Sequence, residues 1–372
     1  MPSLRVAGPV AGMLSIGIVV GLFAMERPAR QRAATDFDAR SAANYLDARI
    51  MWWRGWQNAR RDHGTSCVSC HTALPFALAR PALRTALGES QPSDGERKVI
   101  DDVVMRVRLW REVEPFCPDQ TNGLPKTSES RGTESVLNAI ILSRRDAATG
   151  TLSDDARQAF ANMWALQFRS GDLKGGWAWL NFKYEPWEST GSAFFGATLA
   201  AIAVGGAPGG YAGDSAIRER VDALRGFLQR TADTTHLFNR AMALWASGEL
   251  PGVLTAAQRQ SIVDALFAAQ RGDGGWATAS LGPWKRRDAT PLDSASDGYA
   301  TALAVIALER GGAPRDEQRV RAGRTWLVQH QEASGLWRAA SVNKSRDPAT
   351  DIGKFMTDAA TAYAVIALSS PR

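Results

Sequence analysis

Asp297-Gly298-Tyr299-Ala300-Thr301-Ala302 and Asp358-Ala359-Ala360-Thr361-Ala362-Tyr363 run on into the same five residues, Ala304 to Leu308 and Ala364 to Leu368. The two segments are copies of one apolar helix, and neither has a polar face, so each must be enclosed by other structure. Residues 135–143, 191–204 and 236–247 have the same character. Between them lie segments charged on one side only, at 96–110, 155–167, 217–229, 257–270 and 317–330. Helices of the first kind belong inside and those of the second outside. Strand-type alternation is almost absent. Residues 38–60 and 73–87 supply a sixth outer and inner pair, although Pro75 and Pro81 weaken the latter. The expected fold is all-α, an (α/α) toroid of about six outer and inner helix pairs. Its inner-to-outer turns are short, whereas 111–132, 168–190, 271–295 and 331–356 are long and mark the functional rim.

The bulk numbers agree with a folded chain. Of 372 residues 45% are hydrophobic and 22% charged, which excludes disorder and a fibre. The net charge of +6 is spread along the sequence without a basic block, so no nucleic-acid partner is expected. From Val6 to Met25 the chain is apolar apart from Ser15 and small residues. Such a stretch is a membrane segment or a signal peptide; no small-x-small cleavage site follows Phe23, which favours an uncleaved single-span anchor. The resulting organisation is residues 1–25 as anchor or signal, 26–37 as linker, 38–90 as the first helix pair and 91–372 as the rest of the toroid. The membrane is then a partner, with the globular part in the periplasm or outside the cell.

Two of the three cysteines form Cys67-Val68-Ser69-Cys70-His71. This C-x-x-C-H spacing is that of c-type haem attachment: two thiols reach the two vinyl groups of one porphyrin, and the following imidazole meets the iron. One covalent haem c is expected, on Cys67 and Cys70 with His71 as iron ligand. A redox disulfide, a zinc site that adds Cys117 or a histidine, and coincidence are the competing readings. Cys117 itself reads as a packed thiol. For the sixth iron position the candidates are His236, His330, His63 and Met356, with an open position as the alternative. Met51, Met105, Met163 and Met242 fall in helical segments and read as core.

Gln270-Arg271-Gly272-Asp273-Gly274-Gly275-Trp276 and Gln331-Glu332-Ala333-Ser334-Gly335-Leu336-Trp337 resemble the Gln-Trp repeats of the squalene-hopene cyclase and terpenoid cyclase superfamily. Gln167 with Gly175-Gly176-Trp177 is a looser copy. The resemblance covers residues 96–372 and implies the same toroid, with Gln270, Trp276, Gln331 and Trp337 bracing neighbouring helices. A haem segment ahead of such repeats also resembles bacterial squalene cyclase-like proteins. The acidic Asp-x-Asp-Asp motif of triterpene cyclases has no match here, the nearest segment being Asp293-Ser294-Ala295-Ser296-Asp297. The zinc site of related prenyltransferases cannot be placed either.

Asp297, Asp358 and Glu134 each follow Ser or Thr at the start of an inner helix and read as caps. Asp297 is the catalytic candidate among them. Trp177, Trp179 and Trp284 are candidates for lining a substrate cavity. Lys285, Arg286 and Arg287 read as solvated charge or as contacts to a haem propionate. Two functions follow as expectations: a haem oxidoreductase acting on an apolar, isoprenoid-type small molecule, or an electron carrier or binding module that docks a redox partner protein. A terpene cyclase ranks third.

Overall fold

Polar caps divide the chain into helices before any packing is considered. Asp38, Ser93, Ser153, Thr255 and Glu317 each accept a backbone N–H at the start of an outer helix. At Ser93 and Thr255 the side chain three residues on returns the bond. The computed structural model describes residues 1–4 and 37–369. Its α-helices are α1 (Ala39–Gly55), α2 (Ala73–Leu87), α3 (Asp94–Arg108), α4 (Asp119–Asn122), α5 (Lys126–Ala147), α6 (Asp154–Ala165) and α7 (Ser192–Gly205). They continue as α8 (Arg218–Thr231), α9 (Leu237–Glu249), α10 (Ala256–Ala269), α11 (Gly298–Arg310), α12 (Gln318–Gln329) and α13 (Phe355–Ser369). Among the described residues there is no β-strand, only two isolated bridges.

The apolar helices pack in the order α2, α5, α7, α9, α11, α13, and α13 returns to α2. The inner ring is therefore closed. In chain order α1, α3, α6, α8, α10 and α12 precede the six inner helices and flank them, so the expected six pairs are present. In α7, α11 and α13 nearly every side chain is buried, as helices without a polar face require. The segment 38–90 is not a separate body, since α1 and α2 both pack on α13.

Three details depart from the sequence reading. Helix α5 begins at Lys126, well before residue 135, because its polar first half is held by Lys126 to Glu129 and by the buried pair of Glu134 with Arg106. Met51 and Met105 lie on exposed faces at 38% and 39%, while Met163 and Met242 are buried. The apolar segment 6–25 lies outside the described residues, among which no helix is long and apolar enough to cross a membrane.

The Gln-Trp segments hold the ring. Trp177, Trp276 and Trp337 are fully buried, and each indole N–H donates to a carbonyl of the preceding outer helix: Met163, Leu266 and Leu327, at 2.7, 2.7 and 2.6 Å. Each associated glutamine bonds its own turn and reaches the next outer helix. Gln167 Nε2 donates to the Arg220 carbonyl at 3.0 Å and Gln270 Nε2 to that of Arg319 at 2.8 Å. Gln331 Nε2 donates to the Asp38 carbonyl at 2.9 Å, while its Oε1 accepts from the Asp38 N–H at 2.5 Å. That last pair joins the end of the ring to its beginning. Gly335, at φ 89°, lies so close to α1 that a Cβ would stand 2.2 Å from the Ser41 carbonyl carbon.

Trp177→Ala, Trp276→Ala and Trp337→Ala are each expected to cost about 3–5 kcal/mol by urea unfolding, the large-to-small range for a buried tryptophan. Gly335→Ala should cost more than Gly312→Ala, which has a similar φ of 99° but open space around it. Equal losses at the two glycines would mean that the approach of α1 is not tight.

Candidate functional site

The Cys67–His71 segment enters the rim between α1 and α2 and is fixed from several sides. The Cys67 N–H donates to the Ala59 carbonyl at 2.8 Å, and Trp53 Nε1 donates to the Cys67 carbonyl at 2.8 Å. Asp102 accepts from the Ser66 N–H at 3.0 Å. Ser69 Oγ accepts from the Thr72 and Ala73 N–H groups, at 3.2 and 3.1 Å, and so caps α2 from inside the motif. Arg106, wholly buried, donates from Nη1 to Thr65 Oγ1 and grips Glu134 through two nitrogens at 2.6 and 3.1 Å. A buried charge is tolerated only when paired and hydrogen-bonded in this way. Glu134 is therefore a buried ion-pair partner inside α5 and not a cap.

All three cysteines are free thiols; Cys70 and Cys117 are buried and Cys67 is half-buried. Burial pushes the Cys67 thiol up to about 12, and the charges that Cys117 and Glu188 would carry add to the penalty. Cys70 is pushed up for the same first reason, with Glu188 next. A protonated thiol is a poor nucleophile and a poor metal ligand. Among the described residues no group of three or more His, Cys, Asp or Glu is placed to hold a metal ion, as the zinc reading would require. Glu188, which sequence reasoning passed over, stands by these thiols with its carboxyl raised to about 7 by burial.

His71 is enclosed by aromatic rings: Phe355 stacks on it at 3.9 Å, Trp53 meets it edge-on at 4.9 Å, and Trp187 lies at 6.3 Å. Burial first, and Arg49 second, pull its imidazole down to about 3, so the ring is neutral. Its Nδ1 lies 2.8 Å from Thr72 Oγ1, and Thr72 Oγ1 lies 2.8 Å from Asp358 Oδ2. Asp358 is buried and also accepts from Tyr45 and Arg49 at 2.8 Å each. It faces α1 and the motif and does not cap its own helix.

Loops from three repeats meet on this rim, since Trp187 precedes α7 and Phe355 begins α13. The remaining iron-ligand candidates lie elsewhere or are already engaged. His236 caps α9, its Nδ1 accepting the Asn239 N–H, and packs edge-on against Trp284 at 4.8 Å. His330 is exposed and stacks on Trp326 at 3.9 Å. His63 is exposed beside Asp62. Met356 is buried in the first turn of α13, next in sequence to Phe355.

Asp297 is a cap. It accepts from the N–H groups of Tyr299, Ala300 and Thr278 and from the Thr278 hydroxyl, while burial raises its carboxyl to about 6. Its counterpart in the last repeat is Thr357 and not Asp358, because Thr357 makes the corresponding bonds with Ala339. Thr301 and Thr361 likewise both accept from the N–H of the bracing tryptophan, at 2.9 and 3.1 Å. Asp358, one residue beyond that position, turns instead toward Thr72.

The centre of the ring is filled. Tyr299, Tyr363, Phe195, Phe238 and Trp245 are buried there, and Trp187 donates to the Tyr299 hydroxyl at 2.9 Å. Loops tie across the mouth: Asn343 bonds the Glu185 backbone in both directions, and Arg287 donates to the Phe182 carbonyl and lies over the Tyr184 ring. Arg286 donates to the carbonyls of Ser341 and Pro291, so both arginines staple loops, Arg287 from an exposed position. Trp177 belongs to the braces; Trp179 donates to the Trp187 carbonyl and Trp284 to that of Thr278. Two cavities, of about 590 and 210 Å³, lie against α8 and between α2, α3 and α5, and none of these three tryptophans lines them.

Comparison with known proteins bears on the fold. No family model matches the chain, and no curated protein matches it. Among solved structures it is similar to the unsaturated glucuronyl hydrolase of Bacillus sp. GL1, at 12% identity and TM-score 0.50, over 89% of this chain and 96% of that one. It is also similar to the type II terpene cyclase MstE from Scytonema, at 13% identity and TM-score 0.45, over 89% and 98%. The likeness to the hydrolase shows the fold alone, a helical toroid.

The neutral state of His236 leads to a measurable pH dependence. Burial holds its imidazole near 4 against 6.5 in the unfolded chain. The unfolded chain therefore takes up the proton first, and the stability contributed by the neutral ring is complete above about pH 6.5 and lost as the pH falls towards about 4. His236→Asn, which keeps a cap, should flatten denaturant stability over that window; an unchanged slope would show that His236 does not titrate as placed.

Proposed function

We propose that the chain is a mono-haem c-type electron-transfer protein, exported and tethered to a membrane by residues 6–25. The observation that supports this reading is the donor set of two free thiols, Cys67 and Cys70, with a neutral imidazole, His71, whose Nε2 enters no described hydrogen bond. Phe355 stacks on a face of the ring and makes no hydrogen bond to Nε2, so the stacking is compatible with ligation. The donor types therefore suit the group, and the thiols, which burial keeps protonated in the folded chain, would react before folding encloses them. The cavity that borders Cys67 is only about 10 Å³, so seating a porphyrin requires nearby side chains to part, as when a covalent group is fitted during folding.

When bound, the haem would supply a one-electron couple. Cys67 and Cys70 would hold it by thioether bonds, and His71 would ligate the iron. Trp53, Trp187 and Phe355 would exclude water from the imidazole. The filled centre of the ring favours the carrier over an oxidoreductase with an apolar substrate cavity, and Asp297, bound by four donors, is poorly placed to protonate an alkene.

Protein made in an exporting host with haem-maturation machinery should give a c-type pyridine haemochrome, lost in the Cys67→Ala, Cys70→Ala double variant. Covalent haem in that variant, or stoichiometric zinc in the wild type, rejects the reading. For a carrier the reduced spectrum should not change with carbon monoxide; carbon monoxide binding would restore the oxidoreductase. A chain beginning at Phe37 behind a cleavable export signal should leave the membrane fraction and keep its haem.

A further inference from the structure

The geometry points to Thr72 and Asp358 as positioning residues for His71, which fix its tautomer and make its Nε2 electron-rich; we infer this on the reading of His71 as a haem ligand. Asp358 receives three donors: Tyr45 OH and Arg49 Nε on Oδ1, and Thr72 Oγ1 on Oδ2, each at 2.8 Å. A carboxylate so surrounded, with a guanidinium against it, is an acceptor. Thr72 has one hydroxyl hydrogen, and it goes to Asp358. The Thr72 oxygen can then only accept at the 2.8 Å contact with His71 Nδ1. His71 is consequently Nδ1–H, with its lone pair on Nε2.

The far end of the chain is anchored as firmly as the near end. Arg49 donates to the Asp351 carboxylate at 2.6 Å and to its carbonyl at 2.8 Å, so the guanidinium that neutralises Asp358 is itself held by the loop before α13. The arrangement spans three elements: α1 supplies Tyr45 and Arg49, the motif supplies His71 and Thr72, and α13 supplies Asp358. A hydrogen bond from Nδ1–H to an oxygen backed by a carboxylate raises the basicity of the other nitrogen. A more basic imidazole ligand would stabilise the ferric state and lower the potential of a bound haem.

The test uses the full chain in two forms. In haem-free protein labelled with ¹⁵N-histidine, NMR should show His71 as Nδ1–H in the wild type and in Thr72→Ser, and a shift toward Nε2–H in Thr72→Val. In haem-loaded protein, redox titration should show Thr72→Val favouring reduction about tenfold, which is about 59 mV for a one-electron couple, with Thr72→Ser close to wild type. Asp358→Asn should move the potential in the same direction; if it does not fold, Thr72→Val, of nearly the same shape as wild type, carries the test. An Nε2–H tautomer in wild type, or a potential unchanged in Thr72→Val, overturns the inference. Absence of covalent haem in the wild type would instead reject the proposed function, and the NMR result would still decide whether Thr72 and Asp358 set the tautomer.

Discussion

A ring of helices needs its last member joined to its first, and here Gln331 makes that join. Its amide binds both backbone groups of Asp38, the residue that caps α1, while Trp337 and Gly335 press the same turn against α12 and α1. Amide and indole suit this work because each places a directional donor on a body large enough to bridge two helices. The same device at Gln167 and Gln270 sets the spacing of the outer helices, and the inner helices then fill the enclosed volume with alanine, leucine and valine. Small side chains let six inner helices approach one another, and the aromatic rings of Tyr299, Tyr363 and Trp245 occupy what remains at the centre.

Closing the ring also assembles the rim. Cys67–His71 lies between the first two helices of the chain, yet besides Trp53 of α1 its ring contacts come from Phe355 at the start of the last helix and from Trp187 ahead of α7. The polar supports are equally distant in sequence: Asp358 reaches back to Tyr45, Arg49 and Thr72, and Arg106 connects Thr65 to Glu134. Such buried ionic contacts add little net stability, because desolvation offsets most of the attraction. Their value is in fixing one arrangement, since a displaced partner would leave a charge unpaired in the interior.

Much of the architecture was legible because it depends on local pattern. Helices without a polar face, alternating with helices that have one, gave the inner and outer layers, and the Gln-Trp segments marked the braces. The motif residues Cys67, Cys70 and His71 could be singled out because their spacing alone carries the chemistry. Errors arose where a side chain's role depends on a neighbour far away in the chain. Glu134 and Asp358 resembled caps by sequence, but Arg106 and Arg49 make them ion-pair partners. Trp177 resembled a cavity residue because it lies in a long loop, yet its indole makes the same bond as Trp276 and Trp337. Glu188 carried no signal at all.

The sequence by itself determined the helical periodicity, the six-pair repeat and the chemical types in the Cys67–His71 motif, since each is a property of residues close together along the chain. Alignment of Ala304–Leu308 with Ala364–Leu368 already puts Thr357 at the place of Asp297, but only the tertiary structure decided which backbone groups each of them binds. It also decided that Asp358 is directed at Thr72, and that rings from three repeats enclose His71. The physical reason is that two adjacent polar residues at a helix start look alike along the sequence but their side chains point about 100° apart. Whether an acid caps its own helix or serves a neighbour is settled by packing alone.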